Sequence, residues 1–181
     1  ISLHVNAAEL FGLIGQNGAG KTTLIKLMLD LLSADAGDVR IFGVCSKQPS
    51  ARSSLFYVPE KAMPNPNIKG GEYIALALKF YRHSVSRSRM EEAAHAFELN
   101  PDALNKTLRQ CSKGMGQKLA LMAAFLSPAQ LLVLDEPMSG LDPKARVRVK
   151  QQMHDAKEQG RIVFFSSHIL ADMDEICDRI A

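Results

Sequence analysis

The run Gly15-Gln-Asn-Gly-Ala-Gly20-Lys21-Thr22 fits the pattern G-x-x-x-x-G-K-[ST] and constrains this chain more than any other feature. Before it, Leu10 to Gly15 is an apolar run that stops at glycine; after it, Leu24, Leu27, Met28 and Leu31 recur at helical spacing. Strand, glycine loop and helix in that order make a phosphate-binding loop. The glycines let the backbone curl until several N–H groups converge on phosphate oxygens, and the helix N-terminus adds the positive end of its dipole. Gly15, Asn17, Gly18 and Gly20 form the cradle and Lys21 neutralises the β and γ phosphates. Thr22 offers a hydroxyl to Mg²⁺, and Thr23 adds a further phosphate contact. The expected ligand is ATP with Mg²⁺.

The rest of the chain supplies a sheet for that loop. Leu55 to Val58, Leu131 to Leu134 and Ile162 to Phe165 are short, branched or aromatic, and do not alternate with polar residues, as in parallel strands buried on both faces. Between Val58 and Leu131, helical spacing puts Ile74, Ala77, Leu78 and Tyr81 on one face and Met90, Ala93, Ala94 and Phe97 on the next, with Ser88 and Glu91 as a capping box. Pro64 to Gly71, with two prolines, two asparagines and two glycines, reads as a loop and a subdomain boundary. A further helix runs from near Ser112 to Ser127-Pro128, where proline forbids continuation. The alternation predicts an α/β fold: a mostly parallel sheet flanked by helices.

Composition excludes several alternatives. A chain of 181 residues, 46% hydrophobic and 23% charged, suits one folded domain and rules out disorder. A net charge of +3 is too small to argue for nucleic acid. Cys45, Cys111 and Cys177 are far apart and form neither a disulfide framework nor a zinc motif. The longest apolar run, Leu119 to Leu126, is far below the roughly 20 residues of a membrane-spanning helix, so any membrane role is peripheral. The four cations Lys144, Arg146, Arg148 and Lys150 spread around a helix and read as a solvated face.

Asp135 and Glu136 end the apolar run at Leu134, and ligands in open α/β sheets bind at the C-terminal ends of the strands. Asp135 is placed to hold the magnesium shell, and Glu136 to polarise the attacking water as general base.

Pro137-Met-Ser-Gly-Leu-Asp142-Pro143 follows this acidic pair, and Cys111-Ser-Lys-Gly-Met115 opens a helix upstream of it. With these two segments the whole chain resembles the ATP-binding subunit of an ABC transporter. The resemblance implies a P-loop NTPase (RecA-like) core over 1–67 and 128–181 with an inserted helical signature subdomain over 68–127. The family signature, usually LSGGQ, is matched at Ser112 and Gly114 and departs at Lys113 and Met115. Such SKGM-type signatures imply the branch that exports drugs, ions, lipids or polysaccharides.

The resemblance also assigns roles. Ser112 and Gly114 reach ATP held by a second ABC ATPase subunit, so the hydrolytic sites form in a head-to-tail dimer, a homodimer by default. His168 is the switch histidine at the γ-phosphate, and Asp142 is a strut between the two sites. Glu60 stands where most of the family has a glutamine linking magnesium, water and the membrane partner. The adenine-stacking aromatic lies before Ile1, and a further strand and helices lie beyond Ala181, so the chain reads as truncated at both ends. The implied activity is ATP hydrolysis driving separately encoded transmembrane permease subunits from the cytoplasmic face of the membrane, with no nucleic acid. A soluble ABC-type ATPase without transport and a weakly hydrolysing regulatory module are the alternatives.

Overall fold

A computed structural model describes residues 1–61 and 65–181. In chain order these form β1 (Leu10–Ile14), α1 (Lys21–Met28), β2 (Arg40–Ile41), β3 (Val44–Cys45), β4 (Leu55–Val58), α2 (Gly70–Lys79) and α3 (Arg87–Ala96). There follow α4 (Lys113–Leu126), β5 (Leu131–Leu134), α5 (Pro143–Glu158), β6 (Ile162–Ser167), α6 (Leu170–Ile176) and β7 (Arg179–Ile180). The four expected strands pair in a five-stranded sheet of order β4-β5-β6-β1-β7, whose edge strand β7 begins at Arg179 and not beyond Ala181 as expected. Every pairing in it is parallel. A small antiparallel hairpin, β2 with β3, lies apart.

Alternate strand residues enter two separate cores, and this explains why the strands read as continuous apolar runs. Leu10, Leu132, Leu134, Val163 and Phe165 pack with Ile74, Leu78, Leu119, Val149 and Met173 from the later helices. Phe11, Leu131, Val133 and Phe164 turn the other way, onto Ile25 of α1 and Ile41 of the hairpin. Phe11 and Phe164 stack in that second core with ring centroids 5.6 Å apart.

Helix α4 is buried on every side from Gly116 to Ala124, and its last carbonyls have no partner within the helix. Arg161, at the start of β6, takes that place. Its guanidinium donates to the carbonyls of Ala124 (3.1 Å), Phe125 (3.1 Å) and Ala129 (2.8 Å) and to Ser127 Oγ (3.4 Å). Burial lowers its pKa to about 10, which leaves it charged at neutral pH. Arg161→Met keeps the apolar stem and removes every donor. Each buried carbonyl left without a partner costs about 1–3 kcal/mol, so we expect a loss of roughly 3 kcal/mol or more, seen as a lower urea midpoint at unchanged slope.

The structure corrects several local expectations. Helix α1 stops at Met28 because Asp30 turns left-handed (φ 57°) and the Leu31 N–H bonds back to the Lys26 carbonyl. Leu31 therefore leaves the helix face and is exposed. Ser86, not Ser88, caps α3, accepting from the Arg89 N–H at 3.2 Å; Glu91 pairs with Arg87 instead of closing a capping box. Gly70 and Gly71 belong to helix α2 rather than to the loop, and Pro64 at the other end of that segment lies outside the described residues. The cation run is a solvated face at Lys144 and Arg148, which are exposed, but not at Arg146 and Lys150, which turn inward. Lys144 and Arg148 pair with Glu98 at 3.1 and 3.2 Å, while Arg146 and Lys150 close on Asp172.

Candidate active site

Strand β6 lies between β5 and β1. The C-terminal ends of three neighbouring parallel strands therefore deliver Gly15, Asp135 and His168 to one edge of the sheet, the usual ligand edge of such folds. Gly18 (φ 85°) and Gly20 (φ 98°) take left-handed conformations, and Gly20 is the N-cap of α1. Only glycine adopts this backbone without strain. Asn17, Gly18, Gly20, Lys21, Thr22 and Thr23 line a cleft of about 430 Å³ together with Glu60, Lys61 and Glu136. Gly15 anchors the loop through its N–H to the Ser167 carbonyl at 3.3 Å.

Lys21 is buried, and its Nζ donates to the carbonyls of Gly15 (2.7 Å) and Gln16 (3.2 Å). The same ammonium lies 3.2 Å from Glu136 Oε1. This contact is off the hydrogen-bond direction, so that oxygen makes an ion pair but no hydrogen bond. Glu136 Oε2 lies 2.9 Å from His168 Nδ1. The Glu136 backbone is left-handed (φ 48°), a strained conformation for a side chain of this kind. It breaks the strand directly after Asp135, and the carboxylate sits between lysine and imidazole.

Asp135 is 1% exposed and has no cationic partner among the described residues. Its oxygens accept instead from two hydroxyls, Thr22 Oγ1 at 2.8 Å and Ser166 Oγ at 2.6 Å. Ser166 Oγ in turn accepts from the Glu136 N–H at 2.9 Å, so one buried serine ties both acids to β6. Burial, with the Asp135 charge adding to it, pushes the Tyr57 phenol up to about 12. Among the described residues no cluster of His, Cys, Asp and Glu is placed to hold a metal alone. A buried carboxylate beside a threonine hydroxyl fits Mg²⁺, which takes one or two protein oxygens and completes its shell with phosphates and water.

Ser112, Gly114 and Asp142 do not line this cleft. Ser112 caps α4, accepting from the Met115 N–H at 3.2 Å, and is exposed. Gly114 faces the Gly140 carbonyl, 3.4 Å from where a Cβ would stand, an ordinary van der Waals distance. Asp142 caps α5, and the Ala145 N–H at 2.9 Å holds its carboxyl below the usual range. The structure thus gathers Gly15 to Thr23, Glu60, Asp135, Glu136 and His168 in one place, and the signature and Asp142 in another. Sequence reasoning missed Ser166; its one signal is the polar pair Ser166-Ser167 ending an apolar strand.

A parallel sheet with this glycine loop after one strand and a buried aspartate after another is a P-loop NTPase fold. Residues 1–139 match the family described as ABC transporter, and the chain belongs to that family. It is 38% identical to an ABC transporter ATP-binding protein of Nostoc sp. over 99% of its own length and 55% of that protein. It is 36% identical to the bacitracin transport ATP-binding protein of Enterococcus faecalis, over 99% of this chain and 59% of that one. The daunorubicin/doxorubicin resistance ATP-binding protein of Streptomyces peucetius is 32% identical over all of this chain and 56% of its own. The chain therefore spans little more than half the length of these relatives. A solved ATP-binding subunit of an ABC transporter superposes with a TM-score of 0.88 at 33% identity, over 97% of this chain and 75% of that one.

Proposed function

We propose that this chain binds and hydrolyses ATP as the motor of an ABC membrane transporter that works as an exporter. The observation that carries the reading is Glu136, held 2.9 Å from His168 and 3.2 Å from Lys21 at the mouth of the glycine loop. There the carboxylate accepts the proton of a water attacking the γ-phosphate, and His168 orients that water. The loop amides and Lys21 hold the β and γ phosphates. Thr22 and Asp135 would hold Mg²⁺ with Glu60 at its outer shell, and the ion would supply charge neutralisation to the phosphates.

The exposure of Ser112, and its distance from the lining of its own cleft, support a role toward ATP on a second subunit in a head-to-tail dimer. Gly114 completes that anion site, and Asp142 bridges the two. None of the described helices is long and apolar enough to cross a membrane; separate permease subunits, with this chain at their cytoplasmic side, are supported by relatives named as ATP-binding proteins of transport and resistance systems. Export is supported by relatives named for bacitracin transport, for daunorubicin/doxorubicin resistance and for Nod factor export.

Purification of the tagged complete protein from gently solubilised membranes tests the partner. We expect a multi-spanning protein in stoichiometric amount, identified by mass spectrometry. Recovery of ribosomal or DNA-associated proteins, or of none, would transfer the reading to a soluble ABC-type ATPase.

A further inference from the structure

Both carboxylate oxygens of Asp172, which is 7% exposed, are taken by helix α5: Oδ2 accepts from Arg146, and Oδ1 lies 3.1 Å from Lys150 Nζ. Arg146 and Lys150 are one helical turn apart on the same face. Lys150 also bonds Glu175 of α6. Burial opposes the charge on Lys150, yet its hydrogen bonds to Glu175 and Asp172 raise its pKa overall. The Arg146 Nε is buried with no hydrogen-bond partner, so the arrangement carries an unrecovered desolvation cost. Buried ion pairs are weak stabilisers, and their best-attested use is to fix one element in register against another.

The two helices joined here follow two residues of the proposed machinery, Asp142 and His168. The N-terminus of α5 is capped by Asp142, whose carbonyl accepts from the Arg146 N–H at 3.0 Å. Helix α6 begins just after His168, has only seven residues and lacks a side-chain cap. A helix so short does not hold itself; its placement rests on packing of Met173, Ile176 and Cys177 and on the pairs that Asp172 and Glu175 make with α5. Glu136 and Asp142 share the loop between β5 and α5. A circuit therefore closes on itself from Glu136 through Asp142, α5, Arg146, Asp172, α6 and His168 back to Glu136, with noncovalent joints at His168 on Glu136 and at Asp172 on α5, the latter reinforced by Lys150 on Glu175.

We propose that Asp172 is a positioning residue that holds His168 against Glu136 and couples the imidazole to the Asp142 loop. This rests on the hydrolytic reading of the Glu136 site. The test compares wild type, Asp172→Asn, His168→Ala and the double variant in the complete subunit with its membrane partner. It records kcat and KM for ATP, together with the His168 imidazole resonance in the subunit, assigned by its loss in His168→Ala.

We expect Asp172→Asn to lower kcat about tenfold or more, since a misplacement near 1 Å can cost that and more. KM should stay within about twofold, because the phosphate loop is untouched. The His168 resonance should move, and the double variant should be no slower than His168→Ala. Should Asp172→Asn not fold, Asp172→Glu, which keeps the charge one methylene out of place, is expected to behave the same way. An unmoved resonance with unchanged kcat, or losses that multiply in the double variant, would overturn the proposal and leave Asp172 a structural residue. If wild type hydrolyses ATP no faster than Glu136→Gln, the hydrolytic reading itself falls, whatever Asp172 does.

Discussion

Glu136→Gln is expected to bind ATP as tightly as wild type or more tightly, while turnover falls by a factor on the order of 10² to 10⁴, the usual contribution of a positioned general base. Glutamine has nearly the same shape but cannot accept a proton from water. It also removes a negative charge lying 3.2 Å from Lys21. In wild type that carboxylate competes with phosphate for the ammonium and repels the γ-phosphate, so losing it favours the ground state. Titration with a fluorescent ATP analogue gives the affinity, and phosphate release gives the rate. A parallel loss of both would mean that Glu136 supports the loop and takes no proton.

Lys21→Ala should act on the other parameter. The substitution takes away the ammonium that bonds the loop carbonyls of Gly15 and Gln16 and would bind the β and γ phosphates. A charge-assisted hydrogen bond of this kind is worth about 3 kcal/mol, so ATP affinity should fall roughly a hundredfold. It also strips Glu136, 8% exposed, of its cationic lysine partner and should lower the unfolding midpoint. Lys26, exposed in the last turn of the same helix, is the control: Lys26→Ala should leave affinity within about twofold. Equal losses from the two variants would show a general charge effect and not a phosphate site.

The parallel sheet and the phosphate loop were legible because their signals are local. An apolar run ended by glycine, and two acids ending another, need no knowledge of neighbours. What was not legible depends on contacts far away in sequence. Gly70 and Gly71 suggested a loop, yet both open helix α2, and Gly70 is a glycine because an added Cβ there would lie 2.7 Å from the Ala103 carbonyl. Ser88 is the expected cap, yet α3 begins before it, at Arg87, with Met90 and Ala94 in the core and Ser86 as its cap. The cations of α5 looked solvated because their acids, Glu98 and Asp172, come from other elements. Within the site, the left-handed backbone at Glu136 and the Ser166 bridge between the two acids follow from the order of strands β5, β6 and β1, which no single segment encodes.

The departure at Glu60 bears on the site's chemistry as well. A carboxylate lining the cleft with Glu136 could accept from the water of a bound magnesium ion but could not donate as an amide does, and it would add negative charge near such an ion.

The most direct test of the account is phosphate release by the complete wild-type protein, reconstituted in vesicles with its membrane partner, with Mg²⁺ present and with Mg²⁺ chelated. The account predicts steady hydrolysis that needs Mg²⁺ and exceeds that of Glu136→Gln by about a hundredfold or more. A wild-type rate no greater than that of Glu136→Gln would contradict it, and would make the chain a nucleotide-binding module that does not hydrolyse ATP.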